Sequence, residues 1–210
     1  MKSKHRPLSV DDIYEDLLEN LINLSYSPGD ILRSDELQIK YNVLPERINE
    51  VLVCLSRDGF VELTKDGASV TTWEADDIEE IQELSLVLDR LVLEDIFEME
   101  DRSVLLKELG IIRDRFLKSN TPVDHARWAE QFSKTLYRSS GSSRLLHMAS
   151  SIKAQQAMLR NYLLQQDEVA PQLEEHEQIV AGIEQNNYDL TIQALETAYE
   201  RKTRAILALI

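Results

Sequence analysis

Apolar positions in the first 72 residues come in short groups separated by turn residues, whereas from about Glu74 onward they recur at helical spacing with few interruptions. Ile13, Leu17, Leu18, Leu21 and Leu24 share one helical face, which predicts an amphipathic helix over 11–24. Ser27-Pro28-Gly29-Asp30 reads as a turn, and Ser34 is placed to cap a second short helix ending at Tyr41. Pro45 suits the first turn of a third helix, along which Ile48, Val51, Leu52 and Leu55 repeat at i, i+3, i+4 and i+7 until Gly59 ends it. Phe60-Val61-Glu62-Leu63 and Ser69-Val70-Thr71 alternate as strands do, joined by a tight turn at Lys65-Asp66-Gly67.

Three helices followed by a hairpin is the element order of a winged helix-turn-helix. Beyond it, helices are predicted near 76–98, 101–118, 122–139, 142–166, 168–185 and 188–209, with Pro171 in the first turn of its helix. Each must bury an apolar stripe, so together they form a bundle. The expected architecture is mostly α: a winged helix-turn-helix with a small β-hairpin over residues 1–72, then an all-α bundle over residues 73–210.

Composition agrees with this reading. Six glycines and five prolines are few for 210 residues, as expected of a helix-rich chain. A lone cysteine, Cys54, allows no internal disulfide, and no run approaches a membrane span or a signal peptide, so a cytoplasmic protein without membrane association is expected. The formal net charge is −15. Residues 1–72 carry 8 Lys+Arg against 13 Asp+Glu, net −5, and the remainder 15 against 25, net −10. A nucleic-acid-binding domain normally presents a basic face, so the first segment is unusually acidic for one.

Specific residues narrow the picture further. Tyr14-x-x-Leu17, Pro28-Gly29-Asp30-x-Leu32, Glu36-Leu37, Val43, Ile48, Leu52-x-x-Leu55 and Asp58-Gly59-Phe60-Val61, then Gly67, follow in order through the first segment. Later come Asp77-Ile78-Glu79-Glu80-Ile81, then Phe132-x-x-x-Leu136-x-x-Ser139-Ser140-Gly141-x-x-x-Leu145, then Glu175-His176-x-x-Ile179-x-x-Gly182-Ile183. In this order and spacing the chain resembles GntR-type transcription regulators of the FadR-like branch, with a winged helix joined to an FCD ligand-sensing domain.

The resemblance implies a homodimer that binds double-stranded DNA and responds to a small-molecule effector. It assigns DNA contacts to Arg33, Glu46, Arg47, Asn49, Lys65 and the wing glycine Gly67. Arg47 is expected to make most direct contacts, with Arg33 and Lys65 on the backbone. The recognition helix departs from the family's Ser-Arg-Thr-Pro-Val-Arg pattern, reading Leu44-Pro45-Glu46-Arg47-Ile48-Asn49. Glu46 can accept from cytosine N4 and Asn49 can bond adenine, so an altered readout is expected. Lys2, Lys4 and Arg6 add positive charge on an N-terminal arm.

In the second domain, the family's metal-ligand positions correspond to Ala129, Ser133, His176 and Ala198, and a pocket arginine corresponds to Ser85. One imidazole cannot hold a metal, so neither metal nor cofactor is expected. These five residues are the candidate effector contacts, and the loss of charge there predicts either a larger, more apolar ligand or a collapsed pocket with none. No Ser/His/Asp, Cys/His or paired-carboxylate arrangement supports catalysis, and no glycine-rich phosphate loop is present. Cys54, His125 and His147 read as packing or surface residues. The chain is therefore expected to be a regulator rather than an enzyme, the alternative being an interaction protein that kept this fold and lost operator binding.

Overall fold

In the computed structural model, residues 8–165 and 173–208 are described. Lys2, Lys4, Arg6 and Pro171 lie outside these residues. The chain divides into two compact units, Met1–Trp73 and Glu74–Ile210, one residue later than the expected boundary.

The first unit runs α1 (Val10–Ile22), β1 (Ile31–Arg33), α2 (Ser34–Tyr41), α3 (Pro45–Arg57), β2 (Val61–Thr64) and β3 (Gly67–Val70). A capping box starts α1: the Ser9 hydroxyl accepts from the Asp12 amide, and the Asp12 carboxylate accepts from the Ser9 amide at 2.8 Å. Ile13, Leu17 and Leu21 of α1 are completely buried, as are Ile48, Val51 and Leu55 of α3, so the two helices share one core. Ser34 is not the cap of α2. Arg33 occupies that position without a side-chain cap bond, because residues 31–33 are drawn into a strand that leads straight into the helix.

That strand, β1, was not predicted. It pairs antiparallel with β3, giving the sheet order β1-β3-β2. Gly67, expected in the turn, instead opens the central strand, and the tight turn is Lys65-Asp66. A Cβ on Gly67 would stand 2.0 Å from the Leu32 carbonyl oxygen, and its φ of +151° is also rarely adopted by other residues. The glycine is what allows β1 to close on the hairpin.

The second unit contains α4 (Ala75–Glu98), α5 (Ser103–Lys118), α6 (Pro122–Ser140), α7 (Ser143–Gln165), α8 (Leu173–Glu184) and α9 (Tyr188–Leu207). Val92, Leu93 and Ile96 of α4 meet Leu105 and Leu109 of α5, Phe132 of α6, Ile179 and Ile183 of α8, and Leu195 of α9 in one buried cluster. Arg102 fastens the α4 terminus, donating to the carbonyls of Ile96 and Phe97 and to the Asn186 side chain before α9. Gly141, at φ +71°, ends α6, and the Asn187 side chain caps α9 through the Leu190 amide at 3.0 Å.

Candidate functional site

An internal cavity lies among α4, α6, α7, α8 and α9, with space of about 110 Å³ for water-sized guests. Ala129, Ser133, His176 and Ala198 all line it, so the structure brings together four of the five residues singled out for effector contact. Ser85 is the exception. It is fully buried, is not among the cavity-lining residues, and leaves its hydroxyl without a hydrogen-bond partner.

The cavity has apolar walls, among them Val92, Leu93, Leu136, Ile179 and Leu195, but it also holds charged side chains that were not expected. Lys153, Arg160, Arg201 and Lys202 line it, and among the described residues the lining carboxylates are Asp89 and Glu175. Lys153 Nζ is 2.6 Å from Asp89 Oδ1, an ion pair whose angles are not those of a hydrogen bond. Tyr199 donates to Asp89 Oδ2 at 2.6 Å, and Lys153 and Gln156 both donate to the Tyr199 oxygen, at 3.1 and 3.0 Å. Gln156 also donates to Gln82 at 3.2 Å. Arg201 engages both carboxylate oxygens of Glu175, one at 2.9 Å. The cations come from α7 and α9, helices that the metal-ligand comparison does not survey for basic residues.

The sequence does carry a signal for them. Leu195, Ala198, Tyr199, Lys202 and Ile206 lie at i, i+3, i+4, i+7 and i+11 on α9, so Lys202 occupies a place in the buried stripe. Lys153, Gln156 and Arg160 repeat at i, i+3 and i+7 on α7. Charged residues in register with a buried stripe point to an internal polar site.

Electrostatics follow from this burial. His176 is packed on Phe132 with ring centroids 4.4 Å apart, and its edge meets Phe116 at 5.8 Å. Burial first, then the Lys202 and Arg201 charges, lowers its pKa to about 3, so the imidazole is neutral across the physiological range. Burial lowers the Lys202 ammonium to about 8; Glu175 and Asp89 oppose that shift, while Lys153 and Arg201 add to it. Burial also pushes Tyr199 well above its ordinary value, with Asp89 reinforcing the shift.

The divalent metal that the family resemblance implies at these positions does not fit this cavity. Ala129 and Ala198 carry no donor, Ser133 offers only a hydroxyl, and His176 faces two cations. Among the described residues no cluster of three or more His, Cys, Asp and Glu side chains is arranged to hold an ion.

In the first unit the recognition helix α3 turns Glu46, Asn49 and Glu50 to solvent, with Ile48, Val51, Leu52 and Leu55 inward. Glu50 is an acidic member of that exposed face that the family pattern did not single out. Arg47 is half-buried and donates to the Leu8 carbonyl. Arg33 is exposed and held between Asp35, at 3.3 Å, and Glu36, at 3.5 Å. Lys65 is exposed in the β2–β3 turn, and Gly67 is buried. Elsewhere, Cys54 is a partly buried free thiol, and His125 stacks on Phe116 at 4.6 Å.

The FCD domain matches residues 80–201, more than half of the chain. An uncharacterized HTH-type transcriptional regulator, YdhC of Bacillus subtilis (strain 168), is 27% identical over 100 residues, covering 46% of this chain and 45% of that protein. The matched stretch thus spans just under half of that relative. Among solved structures, E. coli McbR/YncC superposes with a TM-score of 0.76 at 14% identity, covering 95% of this chain and 97% of that one. A GntR family member from Pseudomonas syringae pv. tomato str. DC3000 gives a TM-score of 0.59 at 19% identity, covering 95% and 85%. The chain belongs to the FCD-domain family and has the fold of the GntR-family transcriptional regulators.

Proposed function

We propose that the chain is a transcription regulator that binds double-stranded DNA as a homodimer and responds to a small molecule held in the cavity of its helical unit. The observation that carries this reading is the cavity itself, whose apolar walls also carry charged side chains, within an FCD domain. A bundle of this size does not keep unpaired cations inside for stability, since buried charge is costly unless compensated. A site for a ligand accounts for them.

The first unit supports the DNA half of the reading through its architecture. A helix-turn-helix places its second helix in the major groove, and a two-fold dimer reads two related half-sites. Among the exposed residues of α3, Glu46, Asn49 and Glu50 favour contacts to amino groups of cytosine and adenine over contacts to guanine. Arg47, Lys65 and Arg33 are then the phosphate and base donors, Arg47 by releasing the Leu8 carbonyl and Arg33 by turning away from Asp35.

Selection of duplexes from a random pool with the full chain tests this. Enrichment of two-fold related half-sites, with a dimer in native mass spectrometry, is the expected result. Recovery of an unselected pool would contradict it.

A further inference from the structure

Leu44 immediately precedes α3, and its side chain neither caps that helix nor fills the core. It occupies the N-cap position, where serine, threonine, asparagine or aspartate would accept from the first turn, and it makes no such bond. The residue placed to staple the helix to the preceding chain is Val43, one position earlier. Nor is Leu44 packed: it is 74% exposed, while Ile48, Val51, Leu52 and Leu55 form the inward face. Two other aliphatic side chains nearby are exposed, but neither stands at the leading end of α3. Ile39 lies on α2, the helix that crosses the DNA backbone in this motif, and Val53 lies in the second half of α3.

We propose that Leu44 is a specificity-determining residue that packs on the C5-methyl group of a thymine in the major groove, selecting a T·A pair at one position of each half-site. It rests on the DNA reading above and assigns one residue within it. The first residues of a recognition helix meet the base edges, and the thymine methyl is the apolar group those edges present there. A leucine side chain neither donates nor accepts, so no phosphate oxygen and no base heteroatom is a partner for it. Set against the cytosine amino group instead, it would desolvate a donor and return no bond. The exposed residues that follow it agree, since Pro45 is apolar and an ionised Glu46 has no hydrogen to give to guanine. Asn49, exposed one turn on, suits adenine, the base whose partner carries the methyl.

Uracil differs from thymine only by that methyl, so replacing one by the other removes the contact and leaves base pairing in place. Loss of one buried methyl weakens binding by about fourfold. On the protein side, Leu44→Ser removes the apolar contact and supplies the hydroxyl that the N-cap position lacks, so stability and base discrimination move in opposite directions.

The test uses the duplex selected by the full chain, with each thymine of one half-site replaced in turn by deoxyuridine and affinity read by fluorescence anisotropy. At one position the parent is expected to lose about fourfold in affinity when the methyl is removed. Leu44→Ser is expected to bind the thymine and uracil duplexes equally at that position, and to melt no lower than the parent. A parent indifferent to every replacement would overturn the proposal and leave the DNA reading standing. So would a methyl preference that Leu44→Ser keeps in full. A chain that selects no duplex would remove the DNA reading itself, and the role of Leu44 with it.

Discussion

Lys153 and Asp89 form the ion pair at the centre of the helical unit, Nζ to Oδ1 at 2.6 Å, with each side chain less than a fifth exposed. It joins α7 to α4, and the Tyr199 hydroxyl on Asp89 extends the link to α9. Burial lowers the Lys153 pKa, and Asp89 opposes that shift.

Removing one partner should therefore cost more than removing both. Asp89→Asn leaves a buried ammonium uncompensated and is expected to destabilise the chain by about 3 kcal/mol or more. Adding Lys153→Met to that variant should recover part of the loss. Urea midpoints of the single and double variants check this, and a double variant weaker than Asp89→Asn would show that the pair is not what Asp89 provides.

His176 contributes to the acid limb of stability. Its pKa falls from 6.5 in the unfolded chain to about 3 in the fold, so below pH 6.5 the unfolded state takes up a proton that the folded state refuses. The contribution is fully present above about pH 6.5 and is lost as pH falls toward 3, at up to about 1.4 kcal/mol per pH unit. His176→Gln should flatten the decline in unfolding free energy between pH 6.5 and 4. An unchanged slope would place the acid sensitivity elsewhere.

Gly182 and Thr191 mark a close approach of α8 and α9. A Cβ at Gly182 would lie 2.1 Å from Thr191 Oγ1 and 3.0 Å from the Thr191 amide nitrogen. Both residues are buried, and Thr191 Oγ1 already donates to the Asn187 carbonyl. Gly182→Ala is expected to cost about 2 kcal/mol by overpacking, and Thr191→Ala on top of it to restore part of the stability. Thermal unfolding of the pair distinguishes this from a simple glycine-to-alanine gain in a helix, which would raise the melting temperature.

Helices such as α1 and α3 were legible in the sequence because each carries its own period. The apolar repeat of α3 and the breaks at Gly59, Ser140-Gly141 and Asn186-Asn187 need no partner to be seen. Strand β1 was not, since Ile31-Leu32-Arg33 is three residues long and exists only through pairing with β3, far along the chain. The same non-locality explains Gly67, whose requirement comes from the Leu32 carbonyl crossing above it. In the cavity, matching the expected metal positions located Ala129, Ser133, His176 and Ala198. It could not register Lys153, Arg160 and Lys202, whose inward direction depends on how α7 and α9 are rotated in the bundle. Ser85 misled for a related reason: it lies on the buried face of α4, one turn before Asp89, which does line the cavity.

The central claim is that this acidic chain binds DNA through its winged-helix unit. The direct measurement is the affinity of the full chain for its selected duplex as a function of salt, by fluorescence anisotropy. Phosphate contacts made by Arg33, Arg47 and Lys65 predict that the logarithm of affinity falls linearly with the logarithm of salt concentration, with a slope of about −0.9 per contact. Arg47→Ala should lower affinity by about 1–3 kcal/mol. Affinity that is indifferent to salt, or a parent chain that binds no duplex better than Arg47→Ala does, would contradict the account.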